Sequence, residues 1–205
     1  MKRALIILIF SAFNICVFAQ NHRSGELPRF TGGIEWGYSA TLFSGFHYNY
    51  FSPEGYRIVE SANDLKFYSN GEMYIHFGYN FNTYWNLSIY TGYAGIANLH
   101  NAIPVSIRAT RFFGEDHMKD RIFVFGDIGS GICLKPDIQE IGTVKIGCGY
   151  RLSLSRDTKL DLNMVVRMTH THPEIIYDGI PIAMKWTNSN NAYLAGMSLS
   201  MAVVF

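Results

Sequence analysis

The sequence has little of three things that define large classes of protein. Only 3 of its 205 residues are cysteines, and charge is balanced, with 17 basic and 16 acidic residues. Beyond residue 19, no run of residues approaches the roughly 20 apolar residues that a membrane-spanning helix needs. Because a nucleic-acid partner requires a basic face, the even charge predicts that the protein binds no nucleic acid.

The first residues have the pattern of a secretory signal peptide. A basic start, with Lys2 and Arg3, precedes an apolar run over residues 4–10, and the small residue Ala19 follows where cleavage is expected. Removing this segment leaves 15 basic residues against 16 acidic ones. We predict a signal peptide over residues 1–19, an N-terminal periplasmic tail over 20–30 and one domain over 31–205.

The cysteines support neither a lipid anchor nor a disulfide. Cys16 lacks the small preceding residues that a lipoprotein cleavage site needs, because Phe13, Asn14 and Ile15 stand there. Cys133 and Cys148 remain after export, and the hairpin register predicted below puts them several residues out of alignment. A disulfide needs Cα atoms within about 7 Å. We therefore predict two free thiols.

Strict alternation of apolar with polar or small residues is the dominant pattern in the rest of the chain. It indicates β-strands with one apolar face, and each segment is close to the 9–11 residues of a tilted membrane-spanning strand. The phase of the fifth segment is the least regular. Eight such segments are predicted, at 34–42, 73–82, 85–94, 103–110, 122–132, 144–153, 160–169 and 193–205.

The predicted connections alternate between long and short. Long ones cover 43–72, 95–101, 133–142 and 170–191, and short ones lie near 82–85, 114–120 and 155–158. Outer-membrane barrels have short periplasmic turns and longer external loops. The order predicts an all-β, eight-stranded antiparallel transmembrane barrel in an up-and-down meander, with both termini on the periplasmic side.

Alternation alone leaves open which face points outward. A secreted lipocalin-like barrel would line its interior with the apolar face. Here the opposite face is rich in glycine, which suits a narrow barrel interior better than a solvent face. Aromatic residues also gather near the predicted strand ends, as at a membrane–water boundary. These are Trp36, Phe81, Tyr84, Trp85, Phe113, Tyr150 and Phe205 at the periplasmic rim, and Phe43, Tyr93 and Tyr193 at the outer rim.

The polar or small face also carries charges of both signs, whereas the apolar face carries almost none. A cation at mid-bilayer costs about 2–4 kcal/mol, so this asymmetry places the charged face inside. We predict a buried lumenal charge network, with a gated ion path as the alternative. Its members are Glu35, Arg108, Asp127, Lys145, Arg151, Asp161 and Arg167.

The last strand completes a family resemblance. The segment from Tyr193 to Phe205 ends on an outward-phase phenylalanine and resembles the C-terminal signature that the outer-membrane assembly machinery recognises. Over residues 30–205 the chain resembles the small eight-stranded outer-membrane β-barrel proteins. The resemblance implies an outer-membrane location, contact with membrane lipid and lipopolysaccharide, and Phe205 as an assembly signal. It does not specify activity, because such families include structural barrels, adhesion-related proteins and lipid-modifying enzymes.

Candidate chemistry is sparse. A lipid A deacylase-like site would need a His-x-Ser pair, and the only one, His22-Arg-Ser24, lies in the tail. A weaker set is His76 with Ser39 or Tyr74 across the first two strands. His170 and His172, near Glu174 and Asp178, provide too few ligands for a confident metal site. We predict no catalytic residue, cofactor or metal.

The first and last external loops are the remaining candidates for function, because long loops on a rigid barrel are where binding tends to lie. The first is rich in tyrosine and phenylalanine, which favours strand extensions above the membrane over a separate ligand surface. We predict a monomeric outer-membrane barrel with a filled polar lumen and a structural or loop-mediated binding role. The alternatives are a lipid-modifying enzyme and a secreted ligand-binding barrel.

Overall fold

The computed structural model describes residues 27–96, 100–133, 141–173 and 175–205, so the predicted signal peptide and most of the tail lie outside the described residues. Eight antiparallel strands form one closed barrel, which confirms the predicted fold class. The barrel strands are β1 Phe30–Phe51, β2 Arg57–Asn80, β3 Trp85–Ile96, β4 His100–Phe112, β5 Arg121–Cys133, β6 Ile141–Ser153, β7 Lys159–Thr171 and β10 Thr187–Val204. A small hairpin of β8 Ile176–Tyr177 and β9 Ile180–Pro181, followed by a 3-10 turn at Met184–Trp186, lies between β7 and β10.

The barrel closes by pairing its first strand with its last. β1 pairs with β2 on one side and with β10 on the other, in register from Gly33 opposite Val204 to Tyr50 opposite Thr187. The remaining neighbours follow chain order, so the topology is an up-and-down meander. No helix in the described parts of the chain is long and apolar enough to cross a membrane.

Alternation along the strands separates an apolar outer face from a polar interior. On β6, Val144 and Ile146 are exposed and Lys145 between them is buried. The uneven fifth segment follows the predicted phase, because Phe123, Phe125 and Asp127 point inward and are buried. A lipocalin-like barrel would have its apolar face inside, and this barrel has the opposite arrangement.

Glycines on the inward face let neighbouring strands approach closely. A Cβ atom built on Gly92 would lie 2.0 Å from the carbonyl oxygen of Met73 and 2.7 Å from the Cα of Tyr74. These are backbone atoms of the paired strand β2 and cannot move aside. Gly126, on the outward face of β5, has no atom within 4 Å of the same built position.

The two glycines give a matched test of the inward and outward phases. Gly92→Val is expected to destabilise the folded barrel by about 1–3 kcal/mol through overpacking. Gly126→Val is expected to be neutral or slightly stabilising, since valine suits an apolar strand face. Urea unfolding in lipid vesicles measures both. Equal losses at the two positions would mean that the assigned phases are wrong.

The prediction of a loop over residues 43–72 is wrong. β1 continues to Phe51 and β2 begins at Arg57, so an extended hairpin rises beyond the barrel and turns over residues 52–56. This supports the favoured interpretation of the segment as strand extensions. A bulge at Leu42 shifts the phase of β1, because Thr41 pairs with Gly196 while Phe43 pairs with Ala195. The predicted loop over 170–191 is shorter, running over 172–186.

Candidate functional site

The centre of the lumen is occupied by an ion cluster around Arg108. Its Nη1 donates to Oε2 of Glu35 at 2.7 Å and its Nε donates to Oδ2 of Asp127 at 3.2 Å. The hydroxyl of Ser200 donates to the other oxygen of Glu35 at 2.8 Å. All four side chains are buried. The guanidinium also lies 3.9 Å from the ring centroid of Tyr90, so it is fixed on several sides.

A second cluster joins β2 with β6 and β7. Arg167 Nη1 donates to Oε2 of Glu72 at 3.1 Å, and the Tyr74 hydroxyl donates to the same oxygen at 3.2 Å. Lys145 Nζ donates to the Tyr74 hydroxyl at 3.2 Å and forms no ion pair among the described residues. Glu72 was missed because it fell inside the predicted first loop. Its even-numbered phase, shared with Tyr74 and His76, was the available signal.

A third cluster lies at the end of the lumen near the short turns, the end that the sequence predicts to be periplasmic. Arg151 donates two parallel hydrogen bonds to Asp161, each of 2.7 Å. Two further buried cations stand beside this pair, Arg121 at the start of β5 and Lys159 at the start of β7. Neither was among the predicted network residues. The seven predicted charged residues are all buried in the interior, distributed over these three clusters.

Two small internal cavities separate the clusters. One is lined by His76, Asn163 and Asp161, and the other by Tyr74, Lys145 and Thr169. Each has about 20 Å³ of room, whereas a single water needs roughly 10–15 Å³. Towards the outer mouth the interior becomes apolar, with Ile96, Ala102, Ile141 and Leu194 packed together against Tyr68.

The structure does not bring together the weaker catalytic set. Ser39 pairs with Asn70 of β2, whereas His76 pairs with Gly33. Six residues along β1 separate the two positions, which is roughly 20 Å at the usual strand rise. His76 instead stacks on Tyr90, with 4.7 Å between ring centroids. Tyr74 is engaged with Glu72 and Lys145.

His170 and His172 do lie side by side, with ring centroids 4.7 Å apart. His170 Nε2 is hydrogen-bonded to Oδ1 of Asn191 at 3.2 Å, and His172 Nδ1 to the backbone oxygen of Asn190. Glu174 lies outside the described residues. Within the described ranges, no three His, Cys, Asp or Glu side chains are grouped so that they could hold a metal ion. Through these hydrogen bonds, the two histidines connect the end of β7 to β10.

Beyond the barrel, the chain forms what we call the surface platform: β1 from residue 44, β2 to residue 65, the 172–186 loop and the start of β10. The loop folds onto the hairpin, since the Tyr177 hydroxyl is hydrogen-bonded to the Tyr56 hydroxyl and donates to Oε2 of Glu54 at 3.5 Å. The Tyr177 ring also meets that of Tyr50 edge-on. Ile175, two residues before Tyr177, is buried. The hydrogen bonds with Tyr177 and Glu54 raise the pKa of Tyr56 above its usual value.

The outward face has the features of a bilayer surface. Trp85, Phe113 and Tyr150 are partly exposed near the turns, and Arg111 lies over the rings of Trp85 and Phe113 at 5.2 and 5.9 Å. There its charge can reach the headgroup region. Cys148 is a free, exposed thiol in β6. The side chain of Cys133 lies outside the described residues.

Phe205 extends the pairing of the first strand. Its backbone nitrogen donates to the oxygen of Gly32 at 2.8 Å, and its oxygen accepts from the nitrogen of Gly32 at 3.1 Å. The last residue is thereby fixed to the start of β1 at the seam where the barrel closes. This contact defines the position of Phe205, and its role in assembly stays a prediction.

Comparison with known proteins identifies the fold alone. No protein-family model matches the chain, and neither does any curated protein. Among solved structures, the outer membrane protein OprG from Pseudomonas aeruginosa has a TM-score of 0.52 at 9% identity, covering 91% of this chain and 98% of that one. The N-terminal β-barrel domain of Pseudomonas aeruginosa OprF has a TM-score of 0.42 at 12% identity, covering 84% and 97%. Neisserial surface protein A has a TM-score of 0.44 at 11% identity, covering 85% of this chain and 96% of that one.

The similarity to OprG and the closed eight-stranded topology define the class of protein. The chain is a small transmembrane β-barrel of the outer-membrane type. Its apolar outer face, charged interior and aromatic rims are the properties that such a barrel requires. The class includes proteins with different activities, so function has to be argued from the lumen and the platform.

Proposed function

We propose that the protein is a non-enzymatic outer-membrane barrel with a filled polar lumen, which binds a protein partner through the surface platform. The observation that carries this proposal is the exposure of large apolar side chains on the platform. Leu65 is 86% exposed, and Ile176, Ile180 and Trp186 are each more than half exposed. Ile176, Ile180 and Trp186 belong to one loop, whereas Leu65 lies lower on the hairpin, opposite Phe43. Outside the bilayer, exposed apolar patches are typical of interaction sites.

The filled lumen is supported by the layers of side chains across it. Eight strands enclose a space just wide enough for side chains. The Arg108 cluster joins β1, β4, β5 and β10 through Glu35, Asp127 and Ser200. The two lumenal cavities described above are about the size of single waters. An interior of this kind favours a rigid support over a continuous aqueous path.

The platform has the rigidity that binding requires. Its hairpin is paired with β10 as far as Tyr50 opposite Thr187, and the loop is held against it by Tyr177. Exposed tyrosine and tryptophan side chains, such as Tyr56 and Trp186, are enriched at protein interfaces. Because the platform is already ordered, a partner would not bear the cost of ordering it.

Cells displaying the intact barrel are expected to adhere to a panel of immobilised matrix glycoproteins at least tenfold more than to albumin. Leu65→Ser combined with Trp186→Ser is expected to remove that difference. The matched control is Ile128→Ser, an exposed outward position on the barrel wall, combined with Trp85→Ser at its periplasmic rim. In planar bilayers, all forms are expected to show no stable channel steps.

Two results would contradict the proposal. Equal adhesion by the intact barrel and the platform variant would remove the binding role and leave a structural one. Stable conductance steps would remove the filled lumen and restore the gated ion path. A lipid A mass spectrum shifted by one acyl chain on overproduction would favour the lipid-modifying alternative.

Export and assembly complete the proposal. The basic, apolar and small-residue pattern of residues 1–19 supports secretion through a cleaved signal. The outward phase of the last strand, ending at Phe205, supports recognition by the outer-membrane assembly machinery. The apolar outer face supports contact with membrane lipid and, on the external side, with lipopolysaccharide. A monomer is sufficient, since the barrel closes within one chain.

A further inference from the structure

Three cations converge at the periplasmic mouth of the lumen. Arg121 opens β5 and lies directly opposite Arg151 of β6. Lys159 opens β7 and lies opposite Ser153, two residues beyond Arg151. All three residues are buried. The guanidinium carbons of Arg121 and Arg151 lie 3.9 and 4.5 Å from the ring centroid of Phe112, which holds them close together.

Only one of the three cations has an ion pair among the described residues. Arg151 is bonded to Asp161. Arg121 Nη1 donates to the backbone oxygen of Thr83 at 2.7 Å, and its buried Nε has no hydrogen-bond partner. Lys159 Nζ donates to the Ser153 hydroxyl and the Ser155 backbone oxygen, at 3.1 and 2.9 Å. The hydrogen-bond acceptors of Arg121 and Lys159 among the described residues are therefore all uncharged oxygens.

The carboxylates in the neighbouring turns form no ion pair with these two cations. Asp116 and Asp157 lie within electrostatic range of the cluster. Asp120, next to Arg121 in the chain, accepts from the backbone nitrogen of Ser153, the residue opposite Lys159. Asp116 accepts from the backbone nitrogen of Met118 and pairs with Lys119, on the exposed side of its turn. No described carboxylate lies within ion-pair distance of Arg121 or Lys159. His117, in the same turn as Asp116, is a further neighbour of both cations.

The deeper clusters provide the contrast. There, Arg108 faces Glu35 and Asp127, and Arg167 faces Glu72, so both arginines have a carboxylate partner. Lys145 is the one cation of those two clusters without an ion pair among the described residues, and it donates to the Tyr74 hydroxyl. Buried charges are normally paired because an unpaired one is costly to desolvate. The mouth therefore holds two buried cations, Arg121 and Lys159, that form no ion pair among the described residues, and an external anion would supply the missing partner.

We propose that this mouth is a binding site for a phosphate group entering from the periplasmic side. Arg121 offers a planar fork suited to phosphate oxygens, with its Nε free to donate, and Lys159 adds a compact charge. Phe112 stacks under the fork and keeps it oriented. The phosphate comes either from solution or from a phospholipid headgroup of the leaflet on the same side of the membrane as the mouth.

The test is a titration of the mature chain, folded in maltoside micelles free of phospholipid, with inorganic phosphate at constant ionic strength. Calorimetry is expected to show saturable binding of one phosphate per chain. Arg121→Gln and Lys159→Gln are each expected to weaken it at least tenfold. Lys119→Gln removes an exposed cation from the adjacent turn and is expected to change the affinity less than twofold.

Two results of this titration would overturn the phosphate site. Absence of saturable binding would overturn the proposal, and so would an equal loss in all three variants, because that indicates diffuse attraction to a basic rim. The heat-dependent gel shift checks that each variant is folded. If Arg121→Gln does not fold, Arg121→Lys replaces it, and we expect weakened binding because the charge stays while the fork is lost.

A second titration in phospholipid nanodiscs separates the two sources of phosphate. If soluble phosphate is the natural ligand, its affinity is expected to be the same in nanodiscs as in micelles. If headgroups occupy the mouth, the apparent affinity for inorganic phosphate is expected to fall at least tenfold in the bilayer. Both results support a phosphate site, and both depend on the binding first seen in micelles.

Discussion

Arg108→Met is expected to lower the free energy of unfolding by about 3–5 kcal/mol, the range found when one member of a buried ion cluster is removed. The reason is that Glu35 and Asp127 would stay buried without the cation that both contact. Methionine fills most of the arginine volume, so lost packing contributes little. Urea unfolding in lipid vesicles, followed by tryptophan fluorescence, gives the value.

Two further variants separate charge from packing. Arg108→Met combined with Glu35→Gln and Asp127→Asn is expected to recover most of the loss, because the uncompensated carboxylates are then neutral. Arg111→Met removes an arginine from the outward face at the predicted periplasmic rim, where its contacts with the rings of Trp85 and Phe113 are worth about 0.5–1 kcal/mol. A loss below about 1 kcal/mol for Arg108→Met, or no recovery in the triple variant, would mean that the lumenal cluster does not stabilise the barrel.

Ile146→Arg is expected to destabilise the barrel by about 2–4 kcal/mol, the cost of a cation on the lipid face near mid-bilayer. Ile146 is 69% exposed in the middle of β6, opposite Gly126 and Val166, so no tight packing is disturbed. In water, an exposed isoleucine would tolerate this change. The expected loss of stability therefore reports contact of this position with the bilayer, and not a defect in the packing of the barrel.

The matched control lies on the platform. Leu65→Arg places the same charge on a more exposed residue of β2, opposite Phe43 at the predicted outer rim. A cation costs little near the membrane boundary. A change within about 0.5 kcal/mol is expected there, as for ordinary surface substitutions. If the two substitutions had the same effect, the membrane boundary assigned between them would be wrong.

The sequence was most informative where one face of a strand meets lipid. From Met73 to Asn80, and along β6 and β7, the period of two distinguishes the apolar face from the lumenal one. It predicted the eight strands, their phase and the seven buried charges, because a bilayer outside and a narrow lumen inside impose opposite chemistry on alternate residues.

The pattern failed where the first hairpin rises beyond the barrel. Beyond Phe43, most residues of β1 are half-buried on both faces, and residues 44–49 mix polar with aromatic side chains, so the segment resembles a loop in sequence. Leu42 adds a bulge that interrupts the period. Glu72 was left out of the predicted charge network because it lies in that segment. The docking of the 172–186 loop rests on Tyr177 meeting Tyr56, far away in the chain, which no local pattern encodes.

The unpaired cations were missed for a different reason. Arg121 and Lys159 are the first residues of their strands, where a sequence pattern cannot separate a lumenal position from a turn. Only the register, which places Arg121 opposite Arg151, shows that they share the mouth. Charge balance within the lumen is thus a property of the folded barrel and not of any single segment.

Fractionation of cells producing the protein tests the central claim most directly. A transmembrane barrel with an apolar outer face and a charged interior is expected to stay in the outer-membrane fraction after a urea wash. It is also expected to migrate faster on a gel when unboiled than when boiled, because the closed barrel resists detergent until heated. Release of the protein by urea, or identical migration with and without boiling, would contradict the account and favour the secreted barrel.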